Sequence, residues 1–158
     1  MFRRAAALAT VAAVLTLSGC EPQPTLHDPV QVRVLNGGAA VDIAIGHCFK
    51  FDVTEVKVVA SQVKDAVASD EETIVWDYIP AVPTQTLFQT AGEGGKVVTP
   101  FTSLTNFPPS DEFGVYVYYI QSTAPRRFAD RRAIDRVFHL VQSASEIQAY
   151  SALVGATC

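Results

Sequence analysis

From Val30 onward the chain alternates apolar and polar residues in short runs that fit half-buried strands. Val30, Val32 and Val34 alternate with Gln31 and Arg33, and Val41, Ile43 and Ile45 repeat the pattern beyond Asn36-Gly37-Gly38. That Asn-Gly-Gly step supplies the positive φ angles a tight hairpin needs. Phe49, Phe51 and Val53 continue the period, whereas Val56 and Val58 take the opposite parity. A bulge or bend near Thr54-Glu55 is therefore expected. Residues 61–72 are polar, end in Asp70-Glu71-Glu72 and read as a solvated loop; the Asp-x-Asp-x-Asp-Gly spacing of a calcium loop is missing.

Strand character returns at Thr73, with Ile74, Trp76 and Tyr78 on one face, until Pro80 and Pro83 end the run or leave it at a sheet edge. Residues 84–89 and 97–102 flank Gly92-Glu93-Gly94-Gly95-Lys96, which predicts a hairpin connection. This glycine run is not a Walker A loop, because Thr90 and Val97 stand where that motif needs a glycine and a hydroxyl residue. Residues 113–120 are apolar on both faces: Phe113, Val115, Val117 and Tyr119 point one way, Tyr116, Tyr118 and Ile120 the other. Such a run belongs inside a sheet. Arg126 to Arg136 contains five arginines and two aspartates. As a helix it would pair Arg126 with Asp130 and Arg131 with Asp135, giving a salt-laced solvated face; a binding patch is the alternative. The pattern does not decide between helix and loop there, and residues 137–141 fit strand or helix. Ser143 and Glu146 then match a capping box, with Ile147, Tyr150 and Val154 at helical spacing and Gly155 placed to end the helix.

The chain begins differently. Arg3 and Arg4 precede residues 5–17, thirteen positions without a charge. A basic start, a short apolar run and small residues after it make an export signal. A bilayer-spanning helix needs about 20 apolar residues, so the run is too short to span. It closes on Leu17-Ser18-Gly19-Cys20. These four residues resemble the lipobox of bacterial lipoproteins, a resemblance confined to residues 1–20. It implies a diacylglyceryl group on the Cys20 sulfur and cleavage between Gly19 and Cys20. Glu21, rather than Asp, next to that cysteine implies the outer membrane in a Gram-negative cell and the outer face of the cytoplasmic membrane in a cell with one membrane. The expected organisation is a signal peptide at 1–19, a lipidated cysteine and proline-rich tether at 20–29, and one domain at 30–158. The tether holds three prolines between Glu21 and Pro29 and is short and stiff.

Removing residues 1–19 leaves 139 of 158 residues, enough for one domain with a core. Ten basic residues then face sixteen acidic ones, a net charge of −6. An acidic body argues against nucleic acid as a partner. With Cys20 carrying lipid, Cys48 and Cys158 remain in a compartment that permits disulfides, and an even pair predicts a bridge between them. A loop of that length contributes about 4–5 kcal/mol in the chain-entropy model. The rival reading, Cys48 with His47 as a metal or redox site, lacks further ligands.

The chain holds three histidines: His27 in the tether, His47 beside Cys48, and His139 in a run that reads as core. Neither His-Glu-x-x-His nor Gly-x-Ser-x-Gly is present, so no catalytic residue, metal or cofactor is assigned. Phe107-Pro108-Pro109 leading to Phe113, Val115 and Val117 is similar to the tyrosine-corner region of fibronectin type III domains, with Phe113 where that family has tyrosine. The resemblance implies a sandwich with Trp76 in its core. The expected fold is mainly β, an antiparallel immunoglobulin-like β-sandwich with a short C-terminal helix. The expected role is non-enzymatic: a lipid-anchored envelope protein whose sandwich contacts other proteins through edge strands, the 61–72 segment or the arginine segment. Two alternatives remain. A small-ligand or inhibitor module needs a pocket between the sheets lined by Trp76, Tyr116 and Tyr118, and a cell-wall hydrolase needs acids or His139 meeting in a cleft.

Overall fold

The computed structural model describes residues 29–46, 48–64, 67–91, 94–122 and 129–156. Among the described residues eight strands and one α-helix follow in order: β1 (Val30–Leu35), β2 (Ala40–Ile45), β3 (Asp52–Lys64), β4 (Val67–Pro80), β5 (Leu87–Gln89), β6 (Gly95–Thr99), β7 (Glu112–Ser122), β8 (Ala129–Phe138) and α1 (Ala144–Gly155). They form two antiparallel sheets, one of order β1-β2-β5 and one of order β6-β4-β3-β7-β8. The protein is a β-sandwich with a short C-terminal helix, as the alternating pattern predicts.

Each inner face is the apolar half of that alternation. Val30, Val32, Val41, Ile43, Ile45 and Phe88 from the smaller sheet meet Val56, Val58, Trp76, Tyr78, Phe113, Val115 and Val117 from the larger one. Trp76 and Tyr78 stack with centroids 5.0 Å apart, and Phe88 meets Tyr78 edge-on at 6.1 Å. Phe113 lies between Phe107 and Phe138, at 5.9 and 5.7 Å. Burying an aliphatic or aromatic side chain of this size contributes roughly 1.5–3 kcal/mol, so these rings dominate the core.

The β1–β2 turn uses the expected residues: Asn36, Gly37 and Gly38 take φ of 48°, 65° and 105°. The parity switch is also where it was expected, as a register shift between Val53 and Glu55 in the β3–β7 pairing. This bulge keeps both Val53 and Val56 in the core. A second shift, opposite Val58 and Val59, skips Val75. It buries Val75 and Trp76 together and leaves Ile74 on the exposed side, so Ile74 does not share a face with Trp76 and Tyr78. Phe49 and Phe51 precede β3 instead of belonging to it. They cluster with Tyr119, all three ring pairs being 5.0–5.1 Å apart.

Two expectations need correction. Residues 61–64 and 67–72 are strand, not loop: pairing runs from Ser61↔Glu72 to Lys64↔Val67 and makes a long hairpin of β3 and β4. Strand β7 leaves β3 at Ser61↔Glu112, so beyond that point the hairpin has no third strand and water reaches both faces. Polar residues on both faces erase the alternation that marks a strand. Second, β5 and β6 are not partners. Leu87–Gln89 pairs with β2 and Gly95–Thr99 with β4, so the glycine run carries the chain between sheets. The arginine segment, whose pattern left its structure open, is in its described part the edge strand β8, paired throughout with β7. Arg126 lies outside the described residues, and Arg131 pairs across the sheet with Glu55 instead of along a helix with Asp135.

Helix α1 packs on β1 and β2. Ser143 and Glu146 form the capping box reciprocally, and Gly155 is the last helical residue with Ala156 as its cap. The inward side is Glu146, Ala149, Tyr150 and Leu153, with Ile147 and Val154 outside. Just ahead of the helix, Gln142 clamps the free edge of β1. Its side-chain oxygen accepts from the Val34 N–H at 2.7 Å and its amide donates to the Val32 carbonyl at 2.8 Å. A side chain thus stands in for a fourth strand and blocks that edge.

The cap gives a testable consequence. Ser143→Ala is expected to lower unfolding free energy by about 1 kcal/mol, read as a shift of the urea midpoint. The Ser143 backbone N–H donates to Glu146 at 2.6 Å, and this bond, with that of the Ser143 hydroxyl, holds the Glu146 carboxyl below its ordinary value of 4.5. A folded pKa below the unfolded one means that the contribution is present above the unfolded value and lost as pH falls through the folded one. Glu146→Gln should therefore flatten the acid limb of the stability profile. An unshifted midpoint in Ser143→Ala together with an unchanged acid limb would remove the cap from the account.

Candidate functional site

The two outer faces of the sandwich differ. Over the smaller sheet, Arg33, Asp42 and Gln89 form one row across β1, β2 and β5, because the register sets each opposite the next. Arg33 Nη2 donates to Asp42 Oδ2 at 2.6 Å, and Gln89 Nε2 donates to Oδ1 at 3.2 Å. Tyr150 of α1 closes the row from above, with the Arg33 guanidinium 4.6 Å from its ring centre. The hydrogen bond to Asp42 raises the Arg33 pKa, and burial followed by the Asp42 charge raises that of Tyr150. The helix covers this face, and Asp42 is 1 % exposed. The cluster is structural.

The outer face of the larger sheet carries no covering element among the described residues. Here β3, β4, β7 and β8 bring together Glu55, Lys57, Asp77, Tyr116, Tyr118 and Arg131. Lys57 Nζ lies 3.0 Å from Glu55 and 3.5 Å from Asp77, and Arg131 pairs with Glu55. Tyr118 receives both cations on its ring, Arg131 at 4.3 Å and Lys57 at 5.8 Å. Its neighbour Tyr116 is 6.3 Å away, roughly parallel. The rows follow from the register, which sets Lys57 opposite Asp77 on one side and Tyr116 on the other. Exposed Ile74, Ile79, Ile120 and Val137 lie on the same strands.

The acids on this face differ in their proton affinity. Burial, and then the Glu55 charge, push Asp77 above its ordinary value. Burial would also raise Glu55, but hydrogen bonds with Lys57 and Asp77 outweigh it and hold Glu55 low. Lys57 is raised by its bond to Glu55. Two cations thus balance two acids, and the cluster presents polarity without strong net charge. Two shallow hollows flank it. One of about 440 Å³ lies at the base of the long hairpin between Glu72, Glu112, Tyr116 and Val137, and the other, about 260 Å³, is edged by Thr54, Glu55, Ile79, Ile120 and Arg131.

The residues singled out in the sequence fare unevenly. Trp76 is in the core, whereas Tyr116 and Tyr118 point from the opposite face of the sheet, so the three line no common pocket. His139 follows the last residue of β8 and is exposed, not core, because Phe138 takes the inward position. Cys48 sits exposed in the turn after β2. Gly19, Cys20, His27, His47 and Cys158 lie outside the described residues. Lys57, Glu55 and Asp77 went unnoticed in the sequence. The signal was available in hindsight as charged positions inside two strands otherwise rich in valine and aromatic residues, where a lone charge needs a cross-strand partner.

Tyr116 offers a direct probe of this face. Its hydroxyl donates to Glu72 at 2.5 Å, and that bond first, then burial, push its pKa up to about 12. Spectrophotometric titration should show a late phenol near pH 12 that Tyr116→Phe removes. With the folded pKa above the ordinary 10.0, its contribution to stability is complete below that value and is lost as pH climbs toward about 12. Loss of no late component in Tyr116→Phe would mean the Tyr116–Glu72 bond does not hold the hairpin to β7. No protein-family model, characterised protein or solved structure matches the chain.

Proposed function

We propose that this is a lipid-anchored cell-envelope protein of non-enzymatic, protein-interaction type, whose contact surface is the outer face of the five-stranded sheet. The observation that carries this reading is the asymmetry of the sandwich: α1 covers one outer face, while the other keeps aromatic rings, balanced charges and exposed Ile79, Ile120 and Val137. Interfaces favour this mixture of tyrosine, arginine and aliphatic side chains, with ion pairs setting register more than affinity. The anchor rests on Leu17-Ser18-Gly19-Cys20. No helix among the described residues is long and apolar enough to cross a membrane. An outer-membrane address in a Gram-negative cell follows from Glu21 by the same resemblance.

The Cys48–Cys158 bridge belongs to this reading. Leu153 near the end of α1 packs at Gly46, two residues before Cys48, since a β-carbon built on Gly46 would meet Leu153 Cδ1 at 3.2 Å. The three residues beyond Gly155 reach about 10 Å when extended. The ligand-module alternative is less well supported, because the space between the sheets is filled by Trp76, Tyr78, Phe88, Phe113 and Phe138. The hydrolase alternative needs a carboxylate open to substrate, and Glu55 is engaged by both Lys57 and Arg131.

In the native host, Cys20→Ser is expected to abolish fatty-acid labelling and detergent-phase partitioning; undiminished partitioning would refute the anchor. Alkylation of the folded mature protein should find no free thiol, and two reactive thiols would refute the bridge. Crosslinking on intact membranes should give the unsubstituted protein a partner that Tyr118→Ala loses and Val67→Ala, at the hairpin tip, retains. Equal loss in both variants, or in neither, would move the contact surface elsewhere.

A further inference from the structure

The corner of the sandwich where the tether enters is also the corner where α1 ends. The Gly46 N–H donates to the Pro29 carbonyl at 2.9 Å, and a β-carbon on Gly46 would lie 3.2 Å from Leu153 Cδ1. Pro29, Gly46 and Leu153 are therefore immediate neighbours. The helix reaches from there across the outer face of the smaller sheet for about 18 Å, at 1.5 Å per residue.

Its solvent side has an unusual composition. Ile147 and Val154 stand one heptad apart on the same stripe and are 45 % and 43 % exposed, with Val141 just before the helix at 86 %. Ser151 between them donates its hydroxyl back to the Ile147 carbonyl at 3.0 Å. No charged side chain occurs from Ile147 to the end of the helix. A solvent-facing helix ordinarily carries charges on that side, and here the mature body as a whole is acidic while this face carries none.

We propose that the outer face of α1 rests on the lipid surface in which the protein is anchored, so that the membrane is the occupant of this uncharged patch. The proposal rests on the lipid anchor at Cys20. The nine residues from Glu21 to Pro29 span about 28 Å as polyproline II and at most about 32 Å fully extended, which confines the Pro29 corner, and α1 beside it, to the neighbourhood of the bilayer. Two or three aliphatic side chains would not hold a free protein to a membrane. For a tethered one the contact is intramolecular, and a weak preference suffices to orient the domain. Charge favours the same orientation: anionic headgroups repel an acidic body least through its uncharged side. The five-stranded sheet lies on the far side of the sandwich from α1, so its outer face would then point away from the bilayer.

The test uses the full-length, lipidated protein in phosphatidylcholine vesicles with plain or brominated acyl chains. Ile147→Trp places a reporter on the helix face and Val67→Trp one at the hairpin tip; the emission of buried Trp76 is subtracted with the unsubstituted protein. The expected result is a blue shift for Ile147→Trp and loss of most of its emission in brominated vesicles, with Val67→Trp unaffected. Unquenched, water-like emission from Ile147→Trp in protein that floats with the vesicles overturns the proposal and leaves the anchor intact. A blue shift without quenching, in protein that crosslinks to a dimer, assigns the patch to a second copy and overturns it as well. Failure to float overturns the anchor, and this proposal with it.

Discussion

Asp42 is the carboxylate on which the arrangement of the smaller sheet depends. It lies in the middle strand, accepts from Arg33 on one neighbour and Gln89 on the other, and meets Tyr150 of α1 above. A buried charge is tolerated only when paired and hydrogen-bonded, so these four elements must be in place together. The net stability from such a pair is modest, because desolvation opposes the attraction. Its larger effect is on geometry: an apolar pair at the same positions would let α1 slide, whereas a charge that has to be satisfied fixes where the helix lies. Gln142 adds to this by clamping β1 just before the helix begins.

Docking of α1 decides which surfaces are left for function. One outer face is consumed by the helix, and the opposite one keeps the Glu55–Lys57–Asp77–Arg131 cluster around two tyrosines. The cluster is internally balanced, with burial raising the proton affinity of Asp77 and hydrogen bonds lowering that of Glu55. As the proposed contact surface it would select a partner through register and hydrogen bonding, since its net field is small. The long β3–β4 hairpin extends it past the end of β7, held by the Tyr116–Glu72 bond.

Much of this architecture was legible in the residue pattern, and the failures have physical reasons. Alternation in β1, β2 and β7 reports one face against a core and one against another environment, and these strands were found. The switch from Val53 to Val56 revealed a bulge because two-residue periodicity cannot change phase without an inserted residue. The hairpin beyond Ser61 was missed because both its faces meet water. In β8, arginines beside aspartates fit helix spacing equally well, and only the pairing with β7 distinguishes the two. The helix was placed by its capping box; of Ile147, Tyr150 and Val154 at helical spacing only Tyr150 turns inward, over Arg33, and it sets the rotation. Of the exposed face, the sequence singled out Tyr116 and Tyr118 only as lining of a pocket between the sheets, and the arginines as a salt-laced face or binding patch. Its acids and Lys57 converge only once three strands are side by side.

One buried carboxylate, Asp42, docks α1 and so determines which face of the sandwich is covered. Hydrogen exchange of the folded protein, resolved by segment and compared with Asp42→Asn, tests it most directly. The account predicts that α1 and β1 lose protection while β3, β4 and β7 keep theirs, because the larger sheet does not share this interaction. Unchanged protection of α1 in Asp42→Asn would contradict it.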